Sequence, residues 1–357
     1  MNKKYLYSLC AASMLLMTSC QKDNLFGGLF QDNQEPVTVK MNVALPEMQS
    51  ATRAQAQFGN GYSAQKLNYA VYEIIPSAKN VDIDTIYIAS QEVRDADMEK
   101  QLSKTIALKL MPGSTYEVIF WAQHHAEKSE TAPYQCNFNK VVGNAVVAEV
   151  TLDYDKLYTN NEINDAFWGK VRINNVPLDG GNVLDLGTVT LKRPFAQLNI
   201  GTADLEEAAN AGFPVDKVSV EIPTGVCDVL NLWTGKSSCS KEISRTFKKN
   251  DIVDTELYAF PVAGYDHLAM NYLLVNAEKS PLNNVTLNYY SGDRVKSRTF
   301  SNVPAQRNWR TNIYGELLTS DVNVNVVIDP LFADQNGVDD DPTIAEDNKE
   351  WYDQKQN

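Results

Sequence analysis

Apolar and polar residues alternate with period two through most of the chain. The clearest run begins at Val37. Val37, Val39, Met41, Val43 and Leu45 fall on one face and Thr38, Lys40, Asn42 and Ala44 on the other, until Pro46 stops the pattern. Such alternation predicts a half-buried strand. Comparable runs recur at 67–75, 105–110, 116–122, 146–152, 184–191, 195–200, 218–222, 257–262, 272–275, 285–290 and 322–328, most of them separated by Gly, Pro, Asn or Asp. That spacing is the one expected of β-sandwiches. Helical patterning is confined to 203–210 and a shorter stretch at 162–168. The strands are too short and uneven for an outer-membrane barrel, and no fixed-length repeat marks a propeller or solenoid. The reading is all-β.

The pattern divides near Leu191-Lys192-Arg193-Pro194, where a fresh series of strands opens at Phe195. This predicts two tandem β-sandwich domains, at 36–190 and 191–329, stiffly joined through Pro194. Beyond them, the tail at 330–357 is polar and acidic, with Asp334, Asp339, Asp340, Asp341, Glu346, Asp347, Glu350 and Asp353 against Lys349 and Lys355. A segment of that kind cannot bury a face and is expected to be disordered. At the other end, Lys3 and Lys4 precede an apolar stretch from Leu6 to Met17 and then Thr18-Ser19-Cys20. This reads as a signal peptide at 1–19, too short for a membrane span, followed by a tether at 20–35.

Composition narrows the function. Over 357 residues, 32 Lys and Arg face 45 Asp and Glu, for a net charge of −13. That balance argues against a nucleic-acid partner, which needs clustered positive charge. Three His leave little material for imidazole chemistry, and no nucleophile elbow, phosphate loop, dinucleotide fingerprint or zinc-protease motif is present. His124 and His125 are adjacent, so on a strand they point to opposite faces, and they read as loop residues. Asp334 to Asp339 holds oxygen ligands around Gly337 but lacks a closing bidentate Glu. The expectation is therefore a protein that is not an enzyme and carries no cofactor and no metal.

Once Cys10 and Cys20 are assigned to sorting, Cys136, Cys227 and Cys239 remain. Export permits oxidation. A three-residue hairpin loop at Trp233-Thr234-Gly235 would set Cys239 opposite Val229 and leave Cys227 diagonal to it, so free, buried thiols are expected. The same hairpin puts Trp233 at an exposed tip, where its ring would suit stacking on a sugar face. Trp121 and Trp309 lie in strand context and read as core.

The residues ending at Cys20 resemble the signal of bacterial lipoproteins, which implies cleavage before Cys20 and a diacylglycerol on its thiol, with acyl chains such as palmitate. Gln21-Lys22-Asp23-Asn24 resembles the signal that sends Bacteroidota lipoproteins to the outer face of the outer membrane. Asp84-Thr85-Ile86 resembles an O-glycosylation acceptor of exported Bacteroidota proteins.

Several runs in the body resemble the fimbrillin-like lipoproteins of Bacteroidota. They are Ala51-Thr52-Arg53-Ala54 after the first strand, Leu67 to Tyr72, Tyr116 to Ala122, Arg193-Pro194-Phe195-Ala196-Gln197-Leu198-Asn199, and Asn308 to Gly315, with the closing stretch Asp321 to Phe332. The resemblance implies transthyretin-like sandwiches and a role as fimbrial or pilus subunit. It also implies a cut between Arg53 and Ala54 that removes the strand holding Val37, Val39, Met41, Val43 and Leu45. A strand from a neighbouring subunit would then fill the groove. The implied partners are other fimbrial subunits, outer-membrane lipid through acylated Cys20, and host or bacterial surface ligands. The polar tail departs from a simple stalk subunit. Either Val322 to Ile328 is the exchangeable strand, or the chain is an accessory, tip or anchor component. The alternative is a glycan-binding surface lipoprotein working beside a polysaccharide importer, with Trp233 as its contact.

Overall fold

The alternating runs form strands, and where apolar residues fill both registers the strand lies between two layers. The structure, a computed structural model, describes residues 35–46, 58–76, 83–94, 103–124, 133–142, 145–177, 183–239, 244–254, 257–320 and 324–329. Cys20, Arg53, Ala54 and the acidic tail lie outside the described residues.

Among the described residues nine strands precede the junction: β1 (Val37–Ala44), β2 (Lys66–Pro76), β3 (Ile83–Arg94), β4 (Ser103–Leu110), β5 (Thr115–Gln123), β6 (Tyr134–Val142), β7 (Ala145–Leu152), β8 (Ala166–Ile173) and β9 (Val183–Thr190). After it come β10 (Phe195–Thr202), β11 (Lys217–Ile222), β12 (Val229–Asn231), β13 (Ser237–Ser238), β14 (Arg245–Thr246), β15 (Asn250–Asp251) and β16 (Asp266–Leu274). The last are β17 (Ser280–Leu282), β18 (Val285–Ser291), β19 (Arg294–Phe300), β20 (Val303–Ala305), β21 (Arg310–Gly315) and β22 (Val324–Asp329). Among the described residues the one α-helix is α1 (Leu205–Asn210).

The fold is all-β, as the pattern predicts, and its sheets pack as sandwiches. A three-stranded sheet β4-β1-β9 covers one face of the sheet β3-β2-β5-β8. Val37, Val39, Met41, Val43 and Leu45 pack there with Leu67, Val71, Val118, Phe120, Phe167 and Val171. The other face of β5 presents Ile119 and Trp121 to a second, larger core. That core continues through the sheet β6-β7-β12-β13 into the sheets β16-β10-β21-β22 and β14-β11-β18-β19. β5 is therefore buried on both sides, and its sequence TYEVIFWAQ shows it by losing the alternation.

Two elements differ from the sequence reading. The stretch 162–168 makes only a 3-10 turn at Glu162–Asn164, because Ala166 onward joins β8 beside β5. Residues 257–262 contribute no named strand. The chain turns there, with Leu257 N and Tyr258 N both donating to Asp254 O, at 3.1 and 2.9 Å.

The sheet β6-β7-β12-β13 crosses the junction. β12 pairs antiparallel with β7, Leu230 opposite Val150, and Leu232 N donates to Ala148 O at 2.8 Å. Trp168 Nε1 donates to Leu232 O at 3.1 Å. The hairpin β12–β13 thus belongs to the later part of the chain and completes a sheet of the earlier part.

That hairpin overturns the thiol expectation. Its pairs are Val229 with Ser238 and Leu230 with Ser237, and Asn231 N donates to Lys236 O. The loop therefore runs from Leu232 to Gly235. Asn231 Oδ1 accepts from Trp233 N and Thr234 N at 2.9 and 3.0 Å, and Gly235 supplies a positive φ of 65°. One added loop residue shifts the register by one place, and Cys227 is disulfide-bonded to Cys239. Cys136 is free, and burial pushes its thiol above the ordinary range.

Candidate functional site

The candidate site is the slot occupied by β1. The strand sits between two others, antiparallel to β4 (Val37 opposite Leu110 through Ala44 opposite Ser103) and parallel to β9 (Thr38 beside Val183 through Ala44 beside Thr190). The β9 ladder breaks between Lys40 and Asn42, where β9 carries an extra residue. Gly187 takes up that bulge at φ 72° while its N–H donates to Asp185 Oδ1. The five residues singled out in the sequence share one face, and none is more than 2% exposed. Taking β1 away would uncover their pockets and leave β4 and β9 with facing rows of unpaired backbone groups.

A second strand shows a related pattern in the opposite setting, its alternation broken where Val326, Val327 and Ile328 run together. Among the described residues β22 lies at the edge of its sheet and pairs only with β21, Thr311 opposite Ile328 and Ile313 opposite Val326. Val324, Val326 and Val327 are 36%, 37% and 44% exposed. The edge at β19 is different: Arg294 and Lys296 lie over the Phe213 ring at 5.0 and 4.6 Å, and Arg298 Nη1 donates to Glu316 O at 2.9 Å. Charges guard that edge against pairing. β22 has only apolar and amide side chains before its terminal Asp329.

The chain leading into β22 is pinned. Asp204 stands at the N-cap position of α1, yet its carboxylate turns away from the helix. It accepts from Leu318 N at 3.1 Å, Thr319 N at 2.7 Å and Thr319 Oγ1 at 2.7 Å, and also from Thr202 Oγ1. Burial alone would raise its pKa, but these donors outweigh it and hold the carboxyl below its ordinary value.

At the junction the sequence signals were silent. Arg193 is 1% exposed and lies across Asp165, which is fully buried, with Nε to Oδ1 at 2.8 Å and Nη2 to Oδ2 at 2.9 Å. The guanidinium also stacks on Phe167, 4.5 Å from the ring centroid. Arg310 reaches the same region from β21 and donates to Gln197 Oε1 at 2.9 Å. Glu162 is half-buried as a residue with its carboxyl turned inward, where it accepts from Tyr272 Oη at 3.1 Å. Burial, with the negative charge of Asp165, pushes Glu162 up to about 8, against the pull of Gly59 N–H, Arg193 and Tyr272. Burial also pushes Asp165 up, and Arg193 pulls it back. No local motif could have announced this group, because its members come from opposite ends of the chain.

Trp233 does not stand at a free tip. It is half-buried with its ring 4.6 Å from that of Tyr72, because the hairpin folds against the earlier sheets. The structure brings Trp233 nowhere near the β1 face, whose residues belong to the other core. Trp121 is fully buried and Trp309 half-buried. His267 is buried between Phe58 and Phe260, and burial pushes it down to about 3.

Comparison with known proteins follows the fold. A solved adhesin candidate from Bacteroides thetaiotaomicron is similar at 11% identity and TM-score 0.47, over 84% of this chain and 98% of that one. The fimbrial anchor protein Mfa2 of Porphyromonas gingivalis is similar at 12% identity and TM-score 0.40, over 82% and 96%. A fimbrial assembly protein of Parabacteroides distasonis is similar at 13% identity and TM-score 0.37, over 82% and 95%. No curated protein matches the sequence. A family profile matches residues 31–355, nearly all of the body and tail, and the chain belongs to that family, DUF6562, a family of unknown function.

Proposed function

We propose that this protein is a lipid-anchored surface component of a fimbrium, acting in adhesion and assembly rather than catalysis. It joins its neighbours by strand exchange at the β1 slot. One observation carries the reading. β1 is an inner strand whose apolar face is fully buried, while the chain holds a second strand of like pattern at an exposed edge. Laid over β1 in sequence, Val322, Val324, Val326 and Ile328 fall on Val37, Val39, Met41 and Val43, while Val327 falls on Asn42 and Pro330 ends the run one place earlier, at the position of Leu45. Each such side chain gains about 1.5–3 kcal/mol on burial, and the two strand edges supply main-chain hydrogen bonds that any alternating strand can use. Arg53 and Ala54 lie between β1 and the next described residue, Phe58, so a cut there separates the strand from the body. Cys20 supplies the anchor before the cut.

The test is the N-terminus and oligomeric state of the surface form, in the natural chain and in Arg53→Ala. The expected result is Ala54 at the N-terminus with heat-labile oligomer ladders, and uncut monomers for the variant. Ladders of equal strength from Arg53→Ala chains that still begin at acylated Cys20 would overturn strand removal.

A further inference from the structure

Phe58 and Gly59 lie outside any strand, immediately after the segment that carries Arg53 and Ala54. Loop backbone is ordinarily satisfied by water or by neighbouring backbone. Here three ionisable side chains from three separate parts of the chain converge on two consecutive residues. Gly59 N donates to Glu162 Oε1 at 2.7 Å, and Gly59 O accepts from Arg193 Nη2. Phe58 O accepts from Arg310 Nη2 at 2.9 Å, across a sequence separation of 252. The Phe58 ring stacks on Tyr258 with centroids 4.3 Å apart and planes 1° apart, and meets the edge of His267 at 5.3 Å.

Each component has a chemical purpose. The aromatic slot selects a flat ring. The carboxyl selects a backbone N–H, and the two guanidiniums select consecutive carbonyl oxygens. Gly59 adopts φ 88°, a conformation that side-chain-bearing residues rarely take, so the position after the ring is restricted to glycine. Burying two guanidiniums is costly unless every donor finds a partner, and the peptide supplies acceptors that Asp165 and Gln197 leave unmet.

We propose that Glu162, Arg193, Arg310, Tyr258 and His267 form a peptide-binding socket for an aromatic-glycine dipeptide, filled by the chain's own Phe58-Gly59. The socket holds the head of the body in place when the preceding segment is cut, so that β1 leaves with the residues up to Arg53 while Phe58 and Gly59 stay docked. The retention step rests on the strand-removal reading; the socket does not.

Hydrogen exchange on the full, uncut chain tests the socket, comparing the natural protein with Phe58→Ala and the milder Phe58→Leu. Peptides covering 58–65 are expected to be protected in the natural chain. They should exchange about tenfold faster or more in Phe58→Ala and by an intermediate factor in Phe58→Leu, while β16 and β21 keep their protection, as local opening predicts. Equal rates in the natural chain and Phe58→Leu, or fast exchange in the natural chain, would overturn the socket. A second arm repeats the measurement after cleavage at Arg53. Continued protection of 58–65 once β1 has been released supports retention, and its loss together with β1 overturns it. A β1 that stays in its slot after cutting counts against strand removal alone, since the uncut exchange rates decide the socket separately.

Discussion

β1 and β22 are written in nearly the same pattern and meet opposite fates. Both open by alternating Val with polar residues and both precede a proline, although Val326-Val327-Ile328 breaks the alternation in β22. β1 is flanked by β4 and β9 and faces the β2-β5-β8 sheet, so its apolar row disappears from solvent. Among the described residues β22 has one neighbour, and its valines stay exposed. The alternation therefore specifies a strand with one apolar face. Whether that face is used depends on what the rest of the chain places beside it.

The largest test of the contrast is a charge on each row. Met41→Asp would bury an unpaired carboxylate and is expected to cost more than about 4 kcal/mol, enough to unfold the β1 layer. Val326→Asp should change stability by no more than about 0.5 kcal/mol. Denaturant unfolding of the uncut monomer measures both, and comparable losses at the two positions would break the contrast.

A smaller effect comes from β12, which, unlike β1 and β22, is fastened covalently. Reduction of Cys227–Cys239, or Cys239→Ser, releases a loop closed over a separation of 12, for an expected loss of about 2–3 kcal/mol. Unfolding midpoints with and without reductant check this. An unchanged midpoint would mean that β12 is held by its ladder to β7 alone.

The last effect, read as a slope per pH unit, concerns two inward-turned carboxyls, one holding Gly59 and one pinning the chain before β22, which should respond to pH in opposite directions. Glu162 has a folded-state pKa raised to about 8 from an ordinary 4.5. Its contribution is fully present below the unfolded value and is lost as pH rises through the folded one, by at most about 1.4 kcal/mol per pH unit for one proton. Asp204 has a lowered pKa, so its contribution is present above the ordinary carboxylate range and is lost as acid passes through the folded value. Stability profiles of Glu162→Gln and Asp204→Asn should flatten the fall between the ordinary 4.5 and about 8 and the acid fall, respectively. Glu162→Gln leaving the fall below about pH 8 intact would place its origin elsewhere.

Much of the fold was legible because it rests on local pattern. The period-two runs locate β1, β2, β4, β5, β7, β9, β10, β11, β18 and β22, and the acidic 203–210 segment holds α1. What escaped depends on distance or on a single turn. The loop at Leu232 to Gly235 differs from the expected one by a residue, because Asn231 caps it, and that residue decides whether Cys227 reaches Cys239. The apolar face of the slot could be read from Val37 to Leu45, but not its two flanking ladders, since β9 lies more than a hundred residues downstream. Arg193 and Arg310 were read only as part of a family resemblance. Their partners Asp165, Glu162 and Phe58 are joined to them by the folded chain and share no motif.

In the proposed fimbrial role the chain would bear load along its backbone, and there the disulfide has a mechanical meaning. A stretched chain gains roughly 3.3–3.6 Å for every residue set free, so the 12-residue span withholds roughly 40 Å of contour length from any pull. The withheld segment is the hairpin that ties later sheets to earlier ones. Under tension, the seam between the two parts would part without paying out its own slack, and could close again over a short distance.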